Sequence, residues 1–384
     1  VTRYERRLQR VRERMDKAGV SAIYLTPSGD LEYATGLRRR RPGATTGHQH
    51  GDWLTGALVT GTGCIVVSPH LSSHFMRSQM PGKPWLTDFV HIPEGGDVDA
   101  LARRLIDANS LGRALLALPR ESRAETMLRL QALFPAMRFT STADLITPLR
   151  MIKDEEELAI MRRGAQACDA VFAGIVPKLR VGMTEVEVFM EVERLMLQHG
   201  AEGSSFVTGV MITGGAAPIA ETFEGVTRAG AVDIQPGRVV AFDLGVVLDG
   251  YASDFGRTVF VGDPPADLAR IHELVMASQA AGNAALRPGA RTVDVDRAAR
   301  RVIEDAGYGK EFFHRLGHGI GVDVHEPPFL AEGDPGIVES NMCFTVEPSV
   351  WIPDRCFIRV EDIVVAAPNG GYSLNQAPRS LHVI

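Results

Sequence analysis

Residues 239–261 read VVAFDLGVVLDGYASDFGRTVFV, and no other stretch restricts the chain as much. Two apolar, β-type runs flank Asp249-Gly250, a dipeptide that strongly favours a two-residue hairpin turn. A turn closed there sets Asp243 opposite Gly256 and Asp254 opposite Gly245. The two carboxylates become diagonal neighbours on one sheet face, within reach of a shared ion. Aspartate is disfavoured in strands and two on one face repel, so a positive group is expected between them. Three distant residues extend the set: His318 in GHGIG, Glu347 in FTVEP and Glu361 in RVED. Taken singly, an acidic residue in a strand reads as a solvated edge position. Five such residues, each flanked by apolar β-type sequence or glycine, read as ligands. One imidazole and four carboxylates suit Mn²⁺, Co²⁺, Fe²⁺ or Zn²⁺. Four carboxylates also supply enough charge and lone pairs to bridge two divalent ions, a common hydrolytic arrangement.

The remaining composition sets limits. The chain has 384 residues, 45% apolar and 23% charged, which is ordinary for a globular protein of two or three domains. A net charge of −6 gives no basic surface for nucleic acid or an anionic membrane. The run Arg38-Arg39-Arg40-Arg41 sits among Gly, Pro and His and reads as an exposed loop. No apolar stretch approaches the ~20 residues that span a bilayer. The amphipathic, Arg-rich start lacks an apolar signal core, so a cytoplasmic location is expected. Cys64, Cys168, Cys343 and Cys356 lack CxxC spacing and lie in apolar contexts, which reads as buried, reduced thiols.

Along the chain, Leu8, Val11, Met15 and Ala18 form a helical stripe that Gly19 ends. Strands are predicted at 21–27, at 57–68 with a turn over 61–63, and at 114–119. Helices are predicted near 98–108 and 121–134. This alternation predicts an α/β layer on a mainly parallel or mixed sheet. The loop 37–53 holds His48 and His50, read as surface residues in a loop able to reach over an active site of this or a neighbouring subunit. TPLRMIKD marks a domain boundary, giving domains 1–150 and 151–384. Asp154 with Glu157, and Thr184 with Glu187, are capping boxes for two helices. Leu179-Arg180-Val181-Gly182 before Thr184 resembles Leu286-Arg287-Pro288-Gly289 before Thr292, each preceded by a helix and followed by strands with candidate ligands. One helix-helix-strand unit used twice would make the C-terminal half pseudo-twofold.

FDLGVVLDGYASDFGRTVFVG, HRLGHGIGVDVHE, FTVEP and FIRVEDIVVAAPNG together resemble the M24 metallopeptidase family with the pita-bread fold, whose members include methionyl aminopeptidase, aminopeptidase P, prolidase and creatinase. The resemblance covers 152–384 and keeps all five ligand positions. The N-terminal half, with YLTPSGDLEYATG, is similar to the prolidase and creatinase branch. The implied fold class is α/β (α+β), an N-terminal creatinase-like domain ahead of a pita-bread catalytic domain. The implied activity is that of a dinuclear Xaa-Pro peptidase, either prolidase or aminopeptidase P, acting on proline-containing peptides through a hydroxide that bridges two ions, Mn²⁺ foremost, in a homodimer. Carried across, the resemblance implies that Asp243 holds one ion, that Asp254 and Glu361 bridge both, and that His318 and Glu347 complete the second. It further implies that His325 contacts the scissile carbonyl or its oxyanion, that His314 lies at the substrate pocket, and that Arg359 matches an arginine typical of this branch.

Two cations would lower the pKa of a shared water to near neutrality. Glu347 could take the proton and return it to the leaving nitrogen. Arg359 shares a strand face with Glu361. It reads either as a group orienting that carboxylate or as a clamp for a substrate carboxylate. The chain departs from the family in one place. Relatives carry a further histidine before the first Asp strand, whereas here no histidine falls between His199 and His272. Glu221 or Glu224 occupies roughly that position and is expected to line the substrate pocket, selecting a positive group or free amine. Glu347-Pro348-Ser349 replaces the family's Glu-Pro-Gly. Two competing functions follow: a creatinase-like or other small-molecule amide or C–N hydrolase or lyase on the same fold, and a non-enzymatic binding module, which the complete ligand set disfavours.

Overall fold

A computed structural model describes residues 2–39, 49–215 and 232–384. The chain divides into two compact units, Val1–Arg150 and Met151–Ile384. Glu221, Glu224, Arg40, Arg41 and His48 lie outside the described residues.

The first unit is built on a six-stranded mixed sheet in the order Asp88–Ile92, Cys64–Pro69, Gly56–Val59, Ala22–Leu25, Leu115–Leu118, Arg138–Ser141. The hairpin of Gly56–Val59 with Cys64–Pro69 is antiparallel, and both ends of the sheet carry parallel pairs. The opening helix, Arg3–Ala18, buries Leu8, Val11 and Met15 as its stripe requires. Ala18, predicted on the same stripe, is exposed at the last position before the Gly19 cap. Helices Val98–Ala108 and Ala124–Leu133 fall close to their predicted positions and join an apolar core with Tyr24, Leu58 and Leu116 through Leu105, Ile106 and Leu130. Arg39 pairs with the buried Glu32 at 3.1 Å, and the His50 ring contacts the Gly96 carbonyl at 2.6 Å.

The second unit opens on the helix Glu155–Ile175, whose N-terminus is closed by the reciprocal Asp154–Glu157 capping bonds. The same device, Thr184 with Glu187, starts Glu185–Gln198. A second helix pair, Ala266–Ala285 and Thr292–Asp305, repeats the layout. Its second helix starts differently: Arg291 takes the cap position, and the Thr292 hydroxyl instead donates to Asp334 at 2.9 Å. The first helix pair packs on Phe242, Phe255 and Val259, the second on Phe344, Val346 and Ile358. Each pair thus covers its own strands, giving two apolar cores with the ligand-bearing strands around them.

A four-stranded sheet runs His382–Val383, Phe255–Phe260, Val239–Leu244, Gly209–Thr213. A five-stranded sheet runs Glu326–Leu330, Gly317–Gly319, Cys343–Val346, Asp362–Val365, Tyr372–Ser373. Ser349–Ile352 and Cys356–Arg359 form a separate hairpin. An isolated bridge between Gly256 and Glu361 connects the strands of the two candidate-ligand groups. All four cysteines are buried and unpaired, and among the described residues no helix is long and apolar enough to cross a membrane.

Candidate metal centre

Asp249 and Gly250 both adopt left-handed backbone, with φ of 47° and 79°, as a two-residue type I′ turn requires. Leu248 pairs with Tyr251 and Val247 with Ala252 beyond the turn, and Asp243 pairs with Gly256 further along. The register is unbroken, so Asp254 lies across from Gly245, as the sequence predicts. Glycine at both facing positions matters. A Cβ at Gly245 would lie 2.0 Å from the Ser253 carbonyl oxygen, and one at Gly256 would lie 2.8 Å from Glu361 Oε2. Gly256 pairs with Asp243 on one side and bridges Glu361 on the other. The carboxylates on either side therefore converge over bare backbone.

Asp243, Asp254 and Glu361 each bring a carboxylate oxygen to within 4.8 Å of the others. His318 Nε2 lies 3.5 Å from Asp254 Oδ2 and 3.4 Å from Glu347 Oε1. Its Nδ1 contacts the Gly319 carbonyl at 3.0 Å. A carbonyl only accepts, so Nδ1 carries a proton, and Nε2 is the ring atom turned toward the carboxylates. Thr345, which no sequence pattern singled out, accepts from the His318 N–H at 3.0 Å and donates to Glu347 Oε1 at 3.1 Å. It stands two residues before Glu347, so strand alternation places it on the same face. The structure thus brings all five sequence-predicted ligands into one cluster.

Arg359 enters the same cluster. Its guanidinium bonds Asp243 Oδ2 and lies 3.4 Å from Glu347 Oε2 and 3.6 Å from Glu361 Oε2. Burial, offset only in part by Arg359 and reinforced by Asp254 and Glu347, pushes the Asp243 carboxyl up to about 7. Glu361 is driven well above the carboxylate range by burial and by the charges of Asp254, Glu347 and Asp243. Asp254 is raised by burial despite His318. Glu347 is buried too, but Arg359, His318 and His314 outweigh burial and hold it below its usual value. For His318, burial opposes the charged form, yet the Asp254 bond and the Glu347 charge raise it.

His325 sits edge-on to His318, ring centres 4.2 Å apart. Burial, with the charges of His318 and Arg315, holds it at about 4, so it is a neutral ring with one N–H to donate. His314 lies further out. Its Nδ1 donates to the Arg315 carbonyl at 2.7 Å, and its Nε2 faces the Ser349 hydroxyl at 2.5 Å. Ser349 pairs across its hairpin with Arg359, and Trp351 pairs with Phe357, so these four side chains share one face. Phe313 rests on Trp351 with ring centres 5.4 Å apart.

The donor set fits divalent cations. Asp254 Oδ1 and both Glu361 carboxylate oxygens are buried without a hydrogen-bond partner among the described residues. Unpaired buried carboxylates are costly. Four carboxylates share one guanidinium and one imidazole here, a surplus of acidic groups that a cation would balance, and hard oxygen donors suit divalent ions.

Residues 159–368 match the family model of metallopeptidase family M24, and residues 7–152 match that of the creatinase/prolidase N-terminal domain. An Xaa-Pro dipeptidase of Lactobacillus delbrueckii subsp. lactis is 37% identical over 257 residues, which cover 66% of this chain and 68% of that protein. The crystal structure of a dipeptidase from Pyrococcus horikoshii OT3 has a TM-score of 0.85 at 29% identity, covering 98% of this chain and 100% of that one. That of a recombinant prolidase from Thermococcus sibiricus has a TM-score of 0.88 at 25% identity, covering both chains in full. With fold and both domain matches in agreement, the chain belongs to metallopeptidase family M24 and carries a creatinase/prolidase N-terminal domain before its M24 region.

Proposed function

We propose that the protein hydrolyses Xaa-Pro dipeptides, using two divalent ions held by Asp243, Asp254, His318, Glu347 and Glu361. The observation that carries this reading is the convergence with Asp243 of buried Asp254 and Glu361 carboxylate oxygens that have no hydrogen-bond partner among the described residues. The dipeptide preference is supported by the names of its relatives, several of which are Xaa-Pro dipeptidases. An oxygen-rich donor set favours Mn²⁺, with Co²⁺, Zn²⁺ and Fe²⁺ as alternatives. Asp243, Asp254, His318, Glu347 and Glu361 are the residues that would hold the ions.

Bound there, the ions supply a Lewis acid for the scissile carbonyl and lower the pKa of water. Glu347 accepts one proton from the attacking water as its oxygen bonds to the carbonyl carbon. The same carboxyl then gives that proton to the proline nitrogen as the C–N bond breaks. Thr345 holds Glu347 in place through its hydroxyl. Neutral His325 donates to the oxygen that gains charge, an interaction strongest in the transition state. Arg359 orients the carboxylates instead of clamping substrate, a role favoured by its contacts with Asp243, Glu347 and Glu361. His314 and Ser349 border the substrate, and Glu221 or Glu224 would select its free amine. Four buried free thiols suit a reducing, cytoplasmic setting. Assembly as a homodimer completes the proposal.

A panel of Xaa-Pro dipeptides, Xaa-Pro-Xaa tripeptides, non-prolyl dipeptides and creatine, assayed with Mn²⁺, tests the reading. Preference for Xaa-Pro dipeptides is expected. Turnover of creatine or non-prolyl substrates above all prolyl ones would overturn it.

A further inference from the structure

One of the buried ion pairs outside the metal cluster has as its acidic member the residue next to His325. Lys153 and Glu326 are 2% and 3% exposed, and Lys153 Nζ lies 3.5 Å from Glu326 Oε2. The lysine precedes the first helix of its unit. It is fixed there by its backbone N–H, which donates to the Asn341 carbonyl at 3.0 Å, and by its ammonium, which donates to the Met151 carbonyl at 3.3 Å.

Glu326 closes the turn that carries His325. Its Oε1 accepts from the Asp323 N–H at 3.0 Å. Its carboxylate fills the space beside Gly321, where a Cβ would come within 2.8 Å of Oε2. Gly319 pairs with Glu326 across the turn, and the Gly321 carbonyl accepts from Ala252 N–H of the Asp hairpin at 2.8 Å. Consecutive side chains near a strand point to opposite faces. With Glu326 drawn inward to Lys153, His325 turns the other way, where its ring stands edge-on to His318.

Stability does not explain this pair. Desolvating a lysine and a glutamate costs several kcal/mol per ion, and an apolar pair of similar volume holds a fold as well or better. What an apolar pair cannot do is fix a turn by direction, through a carboxylate that bonds the lysine and caps Asp323 at once. We propose that Lys153 and Glu326 are positioning residues for His325, setting the turn so that its ring faces the scissile carbonyl. This inference rests on His325 acting at that carbonyl, as proposed above.

The test is a set of double-mutant cycles in the metal-loaded full chain, reading kcat, KM and bound metal separately. His325→Ala is expected to lower kcat about a hundredfold, as loss of one oxyanion donor does. Lys153→Met and Glu326→Gln are each expected to lower kcat by about tenfold or more, with KM and metal content held. In the His325→Ala background neither should lower kcat further. Glu326→Gln keeps the shape of the side chain and carries the test if Lys153→Met weakens folding. Costs that multiply on His325→Ala, or that appear in KM or metal content, would overturn the inference and leave the peptidase reading standing. A His325→Ala variant with unchanged kcat would overturn both the role of His325 and the inference.

Discussion

Gly256, in the strand Phe255–Phe260, and Glu361, just before the strand Asp362–Val365, are bridge partners, and a Cβ on Gly256 would lie 2.8 Å from Glu361 Oε2. The same Cβ would lie 2.8 Å from Arg359 Cδ. The glycine is therefore required by the side chains around it, since its φ is not in the left-handed region. Gly256→Ala should displace Glu361 and Arg359 together. Overpacking of this kind costs about 1–3 kcal/mol. Metal affinity should fall by about fivefold or more, since a loss of about 1 kcal/mol is a factor of about five and about 1.4 kcal/mol a factor of ten. Isothermal titration with Mn²⁺ checks it.

Arg359 is the cation that faces Asp243, Glu347 and Glu361 from within the cluster. Arg359→Met leaves those buried carboxylates without it. Removing one partner of a buried ionic group costs about 3–5 kcal/mol, and the loss should appear in the metal-free chain. Bound divalent ions bind only the folded state and offset the lost charge. The drop in melting temperature should thus be larger in the presence of a chelator than with Mn²⁺. Equal drops in both conditions would remove Arg359 from the site's charge balance.

Protons and cations compete for the same oxygens. With Asp243 at about 7 and Glu361 well above its usual range, the metal-free site holds protons at neutral pH. Metal binding must expel them. Mn²⁺ added at pH 7 in weak buffer should release about one proton or more per chain, and affinity should weaken as pH falls. A pH-indicator titration measures the release directly.

His272 gives a pH dependence away from the centre. It lies on the helix Ala266–Ala285, 1% exposed, with its ring 6.3 Å from that of Phe260. Burial first, then the charges of His382 and Arg257, hold it down to about 4. Unfolded histidine titrates near ~6.5, so between these values the unfolded chain binds the extra proton. Stability should therefore fall as pH drops from about 6.5 to about 4 and level off below, by an amount on the order of 3 kcal/mol. His272→Gln should flatten that part of the wild-type curve in urea melts of the metal-free chain.

Features settled by neighbouring residues could be read from the chain alone. Asp249-Gly250 dictates its own turn, and that turn sets the register that makes Asp243 and Asp254 diagonal neighbours. Asp154 with Glu157 and Thr184 with Glu187 announce their helices through local hydrogen bonds. Thr292 did not behave like Thr184, because Asp334, from far along the chain, competes for its hydroxyl. The same limit hid the Gly256–Glu361 bridge, the Thr345 hydroxyl behind His318, and the Lys153–Glu326 pair. Each joins segments whose meeting is decided by sheet packing, and no local spacing encodes it. Arg359 could be placed on the face of Glu361 by strand alternation, but its contact with Asp243 depends on a different strand.

The central claim is that Asp243, Asp254, His318, Glu347 and Glu361 hold a pair of divalent cations on which peptide hydrolysis depends. Titrating the metal-free chain with Mn²⁺, while counting bound ions and following Xaa-Pro dipeptide cleavage in the same samples, tests it most directly. About two ions per chain are expected, as a two-metal hydrolytic site requires, with cleavage rising as they bind. Full cleavage by protein free of any transition metal, or a saturated titration with no ion bound, would contradict it.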